Sequence, residues 1–436
     1  MPLSLRGVHV PHRKHTADTL PETMPSPSTI ILPTAMHIGK PATPCVKPGD
    51  HVDIGTLVAE QTGPLSSPIH SGVSGTGKKI EDILLSNGNT APAIVIESDD
   101  AQTVSPTVVP PVVTDRDSLL TAIENSGVVG LGGAGFPTHV KFRVDDPTAI
   151  DYLILNGAEC EPYITSDSVT MIEQREDMAV ALTAIHDLFG IPQTIIGIEE
   201  NKPKAIRSMK QLAAEDARIT VKVLPSRYPQ GGEKVLIYHT TGRVVPMGKL
   251  PKDVGCIVCN VSTIAVIGRY LRTGMPLTTR CITVDGGAVN NPKNVIVPIG
   301  TPLREVFDFC GGFKQPPSKV LYGGPMMGVS VPSTDLPVLK NTNAILALTD
   351  KENDLPKTTH CIRCGACTNH CPFGINPAEI AIAHSRGDVE RLEKLGATLC
   401  MECGCCSFIC PANRPLVQSN KLAKAMLKKA KEGDAR

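Results

Sequence analysis

HCIRCGACTNHCP, residues 360–372, and LCMECGCCSFICP, residues 399–411, decide how the C-terminal part of this chain folds. Each carries the spacing C-x2-C-x2-C-x3-C-P: Cys361, Cys364, Cys367 and Cys371 in the first, Cys400, Cys403, Cys406 and Cys410 in the second. Three thiolates on one tight turn suit three irons of a cubane, while the fourth, followed by proline, reaches across to the other cluster. One 4Fe-4S cluster is therefore expected on Cys361, Cys364, Cys367 and Cys410, and a second on Cys400, Cys403, Cys406 and Cys371. Gly365 and Gly404 let the backbone turn close to the sulfides. Cys405 interrupts the repeat and is read as a non-ligand. Structural zinc is the alternative, but zinc sites use two cysteine pairs separated by a longer gap. His360 and His370 flank the ligands, yet eight cysteines already complete two clusters.

Between the two runs, Ile380, Ile382, Val389, Leu392 and Leu395 recur at mainly helical spacing with charges on the other face. The expectation is an α-helical ferredoxin arrangement rather than a compact hairpin. Beyond the second run, NKLAKAMLKKAKEGDAR (residues 420–436) is basic and reads as a solvated tail or, alternatively, as an amphipathic helix at an anionic membrane surface.

The rest of the chain is bounded by its composition. At about 150 residues per domain, 436 residues make roughly three domains. Lys+Arg (43) balance Asp+Glu (43), so the field that non-specific nucleic-acid binding requires is missing, and 3% aromatics leave little for base stacking. The longest uncharged apolar stretch, Val254–Gly268, falls short of the about 20 residues a membrane span needs. The N-terminus lacks an apolar stretch long enough for a secretory signal, so a reducing cytoplasm is expected, where dense cysteines ligate metal.

Residues 1–98 read as β-rich. VKPGDHVDIGTLVAE followed by SPIHSGVSGTGKKI resembles the folded hairpin of lipoyl and biotinyl carriers, a barrel-sandwich hybrid, but no lysine lies between Glu60 and Gly77 to accept a prosthetic group. A docking or structural role is expected instead. The Pro/Thr/Val-rich stretch 99–116 reads as a linker. Beyond it, β-branched runs at Tyr152–Leu155, Thr194–Ile198 and Val221–Leu224 alternate with helix-like segments, an α/β pattern with a parallel sheet. Residues 280–312 resemble the soluble-ligand-binding β-grasp domain, or else form a packing extension of the α/β core.

Gly130, Gly132 and Gly135 satisfy G-x-G-x-x-G, with Gly133 beside them, but a helix-like segment precedes the loop, so an ordinary Rossmann turn does not fit. Bare backbone amides can still approach a phosphate closely; a purely structural turn is the alternative. GLGGAGFPTHVK (residues 130–141), NGAECEP (156–162), YPQGGEK (228–234) and NVST (260–263) follow the order found in the NADH-oxidising flavoprotein subunit of respiratory complex I. With the carrier-like N-terminus, the β-grasp module and the paired clusters, residues 5–420 resemble the C-subunit family of the Rnf (Rsx) ion-translocating electron-transport complexes of bacteria.

The resemblance implies a multidomain α/β and α+β protein. Its parts would be a barrel-sandwich hybrid at 1–98, an α/β FMN- and NADH-binding domain at 117–278 and a β-grasp module at 279–329. A connector at 330–357, a two-cluster 4Fe-4S domain at 358–420 and a basic tail at 421–436 would follow. It implies that Gly130, Gly132, Gly133, Gly135 and Lys141 hold the FMN phosphate and ribityl region, and that Asn156, Glu159, Tyr228, Gly231, Asn260 and Thr263 line the flavin. Phe136 would face the nicotinamide or adenine ring, with Glu233 near the nucleotide. Where complex I has N-x-D-E, this chain has Asn156-Gly157-Ala158-Glu159, without the first acid. The implied reaction is hydride transfer from NADH to FMN, then single electrons through both clusters to a neighbouring protein of the complex, with a ferredoxin-like carrier in the electron-transfer chain. The implied setting is peripheral, on the cytoplasmic side of the inner membrane. A diaphorase subunit of a soluble hydrogenase or formate dehydrogenase, and a non-catalytic iron-sulfur scaffold, are the competing readings.

Overall fold

The N-terminal strands alternate buried and half-buried side chains, as a sheet with one covered face requires: Ile30 and Leu32 are buried and Ile31 is not. In the computed structural model, which describes residues 6–354 and 356–434, two antiparallel sheets face each other across this apolar layer. One has the order Thr29–Pro33, Thr90–Ser98, Gly75–Leu84, His51–Val52; the other runs Thr43–Pro44, Leu57–Glu60, Ile69–His70. Ile30, Leu32, Val58, Ile69, Ile94 and Ile96 fill the space between. The lysine-free segment after Glu60 packs inward: Ser67 Oγ donates to the Gly127 carbonyl at 3.1 Å.

A helix, Arg116–Asn125, capped by Asp115, opens the α/β module. Its sheet is wholly parallel, in the order Ile219–Leu224, Gln193–Glu199, Tyr152–Gly157, Cys256–Asn260. The chain leaves Tyr152–Gly157 toward one side and later returns to its other side, so the carboxyl ends of Tyr152–Gly157 and Cys256–Asn260 flank a topological switch point. Crevices of open α/β sheets form there.

Three parts of the chain differ from the sequence expectation. Ala344–Leu348, inside the segment read as a connector, is a fully buried strand parallel to Thr279–Asp285 and antiparallel to Lys319–Tyr322. Ile345 and Ala347 complete the β-grasp core with Ile282, Val284, Val295 and Phe307, while Leu346 and Leu348 pack on Tyr163 and Leu321; the polar and proline-rich flanks concealed the strand. Glu22–Thr23, from the presumed N-terminal domain, pairs with Lys293–Pro298 on the edge of that same sheet. The C-terminal segment is not a frayed tail: Leu416–Asp434 is one helix whose Ala423 and Leu427 are buried against Ile380 and Leu392. Those two residues lie on the helices Pro377–Ser385 and Val389–Lys394, where helical spacing places them.

Candidate functional site

At the switch point, Asn260 ends its strand directly opposite Asn156, one residue before the end of the adjacent strand. Asn260 caps the helix Val261–Thr273, accepting from the Ser262 amide at 2.8 Å, so the positive end of a helix faces the crevice. The glycine loop lies against it. The Leu131 amide donates to Thr263 Oγ1 at 3.1 Å, and a Cβ on Gly132 would overlap Asn260 Nδ2. Gly132 and Gly133 are exposed, a Cβ on Gly133 would touch nothing within 4 Å, and Gly135 holds φ 71°. Phe136 closes the turn by accepting from the Gly130 amide at 2.8 Å.

The other residues implied by the resemblance fall into two groups. Lys141 donates to the Val258 carbonyl at 2.8 Å and pairs with Glu233 at 3.5 Å, at the start of the helix Glu233–Thr241. Asn156 donates to the Gly231 carbonyl at 2.8 Å, and Glu159 sits in the left-handed region at φ 47°. Glu159 Oε1 accepts from the Asp167 amide, while Oε2 is inaccessible and has no hydrogen-bond partner. Burial pushes this carboxyl up to about 7. Tyr228 faces elsewhere: its hydroxyl donates to the Cys403 carbonyl at 2.7 Å, out of the crevice and into the cysteine domain.

Several supporting residues carried no sequence signal. Asp167 accepts from Asn260 Nδ2 and Ser262 Oγ, both at 2.7 Å, and so orients the helix cap. Arg280, buried in the β-grasp module, donates to the Leu131 carbonyl at 3.3 Å. Lys14 reaches in from the N-terminal segment and donates to the carbonyls of Glu159, Glu161 and Ile164. Each depends on residues far away in the chain, beyond the reach of any local pattern.

One glycine tight against the Asn260 side chain, exposed loop backbone at a helix N-terminus and an orphan carboxyl oxygen suit a phosphorylated, hydrogen-bonding cofactor such as FMN.

The second site adjoins the first. Cys371, Cys400, Cys403 and Cys406 line one cavity together with Met401, Gly404, Cys405 and Asn420. The fourth cysteine of the first run thus stands beside the first three of the second. Cys367 and Cys410 pack together on a separate small apolar cluster with Cys406, Leu416 and Val417. Cys361 and Cys364 are exposed. All 15 cysteines are free. Burial raises the Cys371 and Cys400 thiols and pushes Cys406 up to about 12; a cation bound in the cavity would offset that cost and favour the thiolates. Cys405 lines the same cavity; hydrogen bonding from its thiol lowers Cys403, and its sulfur lies 3.9 Å from the Tyr228 carbonyl.

The two sites share a wall. Val8, Val10, Tyr228, Cys403 and Cys405 form one buried cluster, with Cys160, Met326 and Met401 packed on it. Gly232 gives Met401 its place, since a Cβ there would overlap Met401 Cε. Glu161 accepts from the amides of Met326 and Met327, so a β-grasp loop braces the same spot. Among the described residues no helix is long and apolar enough to cross a membrane.

Four family models match the chain: the RnfC barrel sandwich hybrid domain over residues 4–101, the Nuo51 FMN-binding domain over 123–269, the SLBB domain over 281–330 and the 4Fe-4S dicluster domain over 357–428. The last match favours iron-sulfur over zinc. The chain is 42% identical to the C component of the Na(+)-translocating ferredoxin:NAD(+) oxidoreductase complex of Acetobacterium woodii, over 96% of this chain and 95% of the relative. It is 40% identical to the C component of the proton-translocating ferredoxin:NAD(+) oxidoreductase complex of Clostridium ljungdahlii, over 86% and 83%. With the C component of an ion-translocating oxidoreductase complex of Rhodobacter capsulatus it shares 39% identity over 97% and 82%. Among solved structures, a chain of an NAD+-reducing [NiFe]-hydrogenase in the H2-reduced state has the same fold over 71% of this chain and 63% of its own length, at TM-score 0.51 and 21% identity.

Proposed function

Because this chain belongs to the C-subunit family of ion-translocating oxidoreductase complexes, we propose that it carries electrons between NADH and the other subunits of such a complex. It would work peripherally, on the cytoplasmic side of the bacterial inner membrane. Bound FMN would supply the chemistry of accepting a single hydride, two electrons at once, and returning electrons singly to iron-sulfur clusters. The protein's part is to hold and insulate. Amides of the Gly130–Gly135 loop, the amino end of Val261–Thr273 and Lys141 hold the phosphate end. Asn260 and Thr263 set the position of the loop, Asn156 holds Gly231 at the crevice border beside Glu159, and Phe136 offers a ring face to the nucleotide while Glu233 lies beside Lys141. Tyr228 acts one layer further out, tying the crevice wall to the cluster turn.

The observation that carries this reading is the shared wall: the loop Tyr228–Gly232 contacts the flavin crevice through Asn156 and the buried cysteine turn through Cys403 and Met401. That contact supports reading Cys371, Cys400, Cys403 and Cys406 as the near cluster, and Cys367 and Cys410 with the exposed Cys361 and Cys364 as the outlet. Anaerobic NADH addition to protein loaded with FMN and about eight irons per chain should bleach flavin and cluster absorbance together. Absent bleaching with flavin bound would support the scaffold reading, and zinc in place of iron would overturn the redox assignment.

A further inference from the structure

The two cysteine turns repeat each other, and their differences are informative. C-M-E-C at Cys400–Cys403 matches C-I-R-C at Cys361–Cys364, with Glu402 at φ 63° and Arg363 at φ 55° in equivalent places. In the inner turn, Met401 packs on the flavin-side loop at Gly232, and Glu402 is neutralised by Lys424, with Lys421 at 4.0 Å. In the outer turn, Ile362 holds Met401's position but is 68% exposed. Arg363 has no acidic partner among the described residues. The segment before the turn is tied to the chain after Cys410: the Thr359 amide donates to the Ala412 carbonyl at 3.0 Å and Arg414 donates to the Thr359 carbonyl at 3.3 Å. Arg363 within the turn and Arg414 bonded to the segment before it, with Lys357 exposed in that same segment, therefore set positive charge about the exposed cysteines and around one apolar side chain.

We propose that the outer turn Cys361–Cys364 is the docking face for a second redox protein that presents acidic side chains around an apolar contact at its own one-electron centre. The inner turn already shows the mode: a hydrophobic residue between its first and second cysteines packs on the neighbouring redox module. Ile362 is its outward counterpart, and the unpaired basic rim selects an acidic surface and steers it. This inference rests on the electron-transfer reading above.

The test uses the full chain in its complex, co-expressed with the remaining subunits and recovered through a tag on this chain. Arg363→Glu is compatible with the backbone, since Glu402 occupies the matching position, and Ile362→Met restores the inner-turn residue. Arg363→Glu and Ile362→Asp should each lower recovery of a redox-centre-bearing subunit about tenfold, with Ile362→Met retaining it and Leu422→Asp, on the C-terminal helix, unchanged. Wild-type recovery should weaken with rising salt. Retention in both disruptive variants at unchanged iron content would overturn the proposal. So would capture that is intact while Arg363→Glu abolishes binding to phosphatidylglycerol vesicles, which marks a lipid face, or self-association lost in Ile362→Asp, which marks a second copy. NADH bleaching of the isolated unmutated chain is recorded in parallel: its failure removes the electron-transfer reading, whereas its success with normal recovery of the variants removes only the docking face.

Discussion

Gly132 and Gly133 are neighbours with opposite surroundings. A methyl on Gly132 would overlap Asn260 Nδ2, whereas one on Gly133 would stand in open space. Gly132→Ala should therefore lower the thermal midpoint of the flavin-free protein and weaken FMN binding, while Gly133→Ala should leave the flavin-free midpoint unchanged and weaken FMN binding alone. Calorimetry with fluorescence titration of FMN separates the two. If Gly133→Ala binds FMN normally, the cofactor does not pass over this loop. His70 offers a pH test. It is buried, its Nδ1 has no partner, and burial, reinforced by Lys340, depresses it to about 3 from 6.5. The unfolded chain takes up a proton near pH 6.5 that the native state refuses until about 3, so this residue drains stability as pH falls through that window. Denaturant midpoints of His70→Gln should lose part of the wild-type acid slope between those limits. G-x-G-x-x-G and the asparagines could be picked out from local motifs, but Asp167, Arg280 and Lys14 could not. Their partners are set by where three modules meet, not by neighbours in the chain.

At the scale of elements, the informative contact is a loop on a turn. Tyr228 is buried and its hydroxyl donates to the Cys403 carbonyl. Tyr228→Phe removes a donor and leaves a buried acceptor, a loss of about 1–3 kcal/mol. It should also slow NADH-driven bleaching of the clusters relative to bleaching of the flavin in stopped-flow traces, with FMN content unchanged; equal slowing of both would place Tyr228 at the flavin instead. Helical periodicity located Pro377–Ser385 and Val389–Lys394 because their apolar stripe faces a small core. It could not locate Ala344–Leu348, whose five apolar residues are buried on both faces and so lack any alternation. It also left the C-terminal segment undecided, since a basic helix and a basic tail share a composition, and burial of Ala423 and Leu427 settles it.

For the whole molecule, the domains are interlaced rather than strung in series. Residues 6–24 leave the N-terminal module to meet Tyr228 through Val8, to clamp the Glu159–Ile164 loop through Lys14 and to edge the β-grasp sheet through Glu22–Thr23. Lys340, fully buried, donates to Ser67 Oγ, the Pro68 carbonyl and the Gly127 carbonyl, joining the N-terminal and α/β modules. The same interlacing governs the clusters. If ligands are exchanged between the runs, Cys371→Ser should remove the inner cluster and Cys410→Ser the outer one, each lowering iron from about eight to about four per chain. Only Cys371→Ser should interrupt NADH-driven electron entry. Loss of the outer cluster in Cys371→Ser, judged by electron paramagnetic resonance, would show that each run holds its own.

Ligand spacing names the cluster type from the chain alone, because a cubane accepts few arrangements of thiolates on a tight turn. The motif order, through its resemblance to the flavoprotein subunit of complex I, likewise implies the cofactors, and glycine suits backbone close to a phosphate. Which cluster faces the flavin and which faces outward is invisible in that repeat, whose two copies carry the same ligands. That choice falls to side chains between the ligands and to the surfaces they meet: Met401 is seated against Gly232, Ile362 is left in solvent, and packing distinguishes what spacing makes equal.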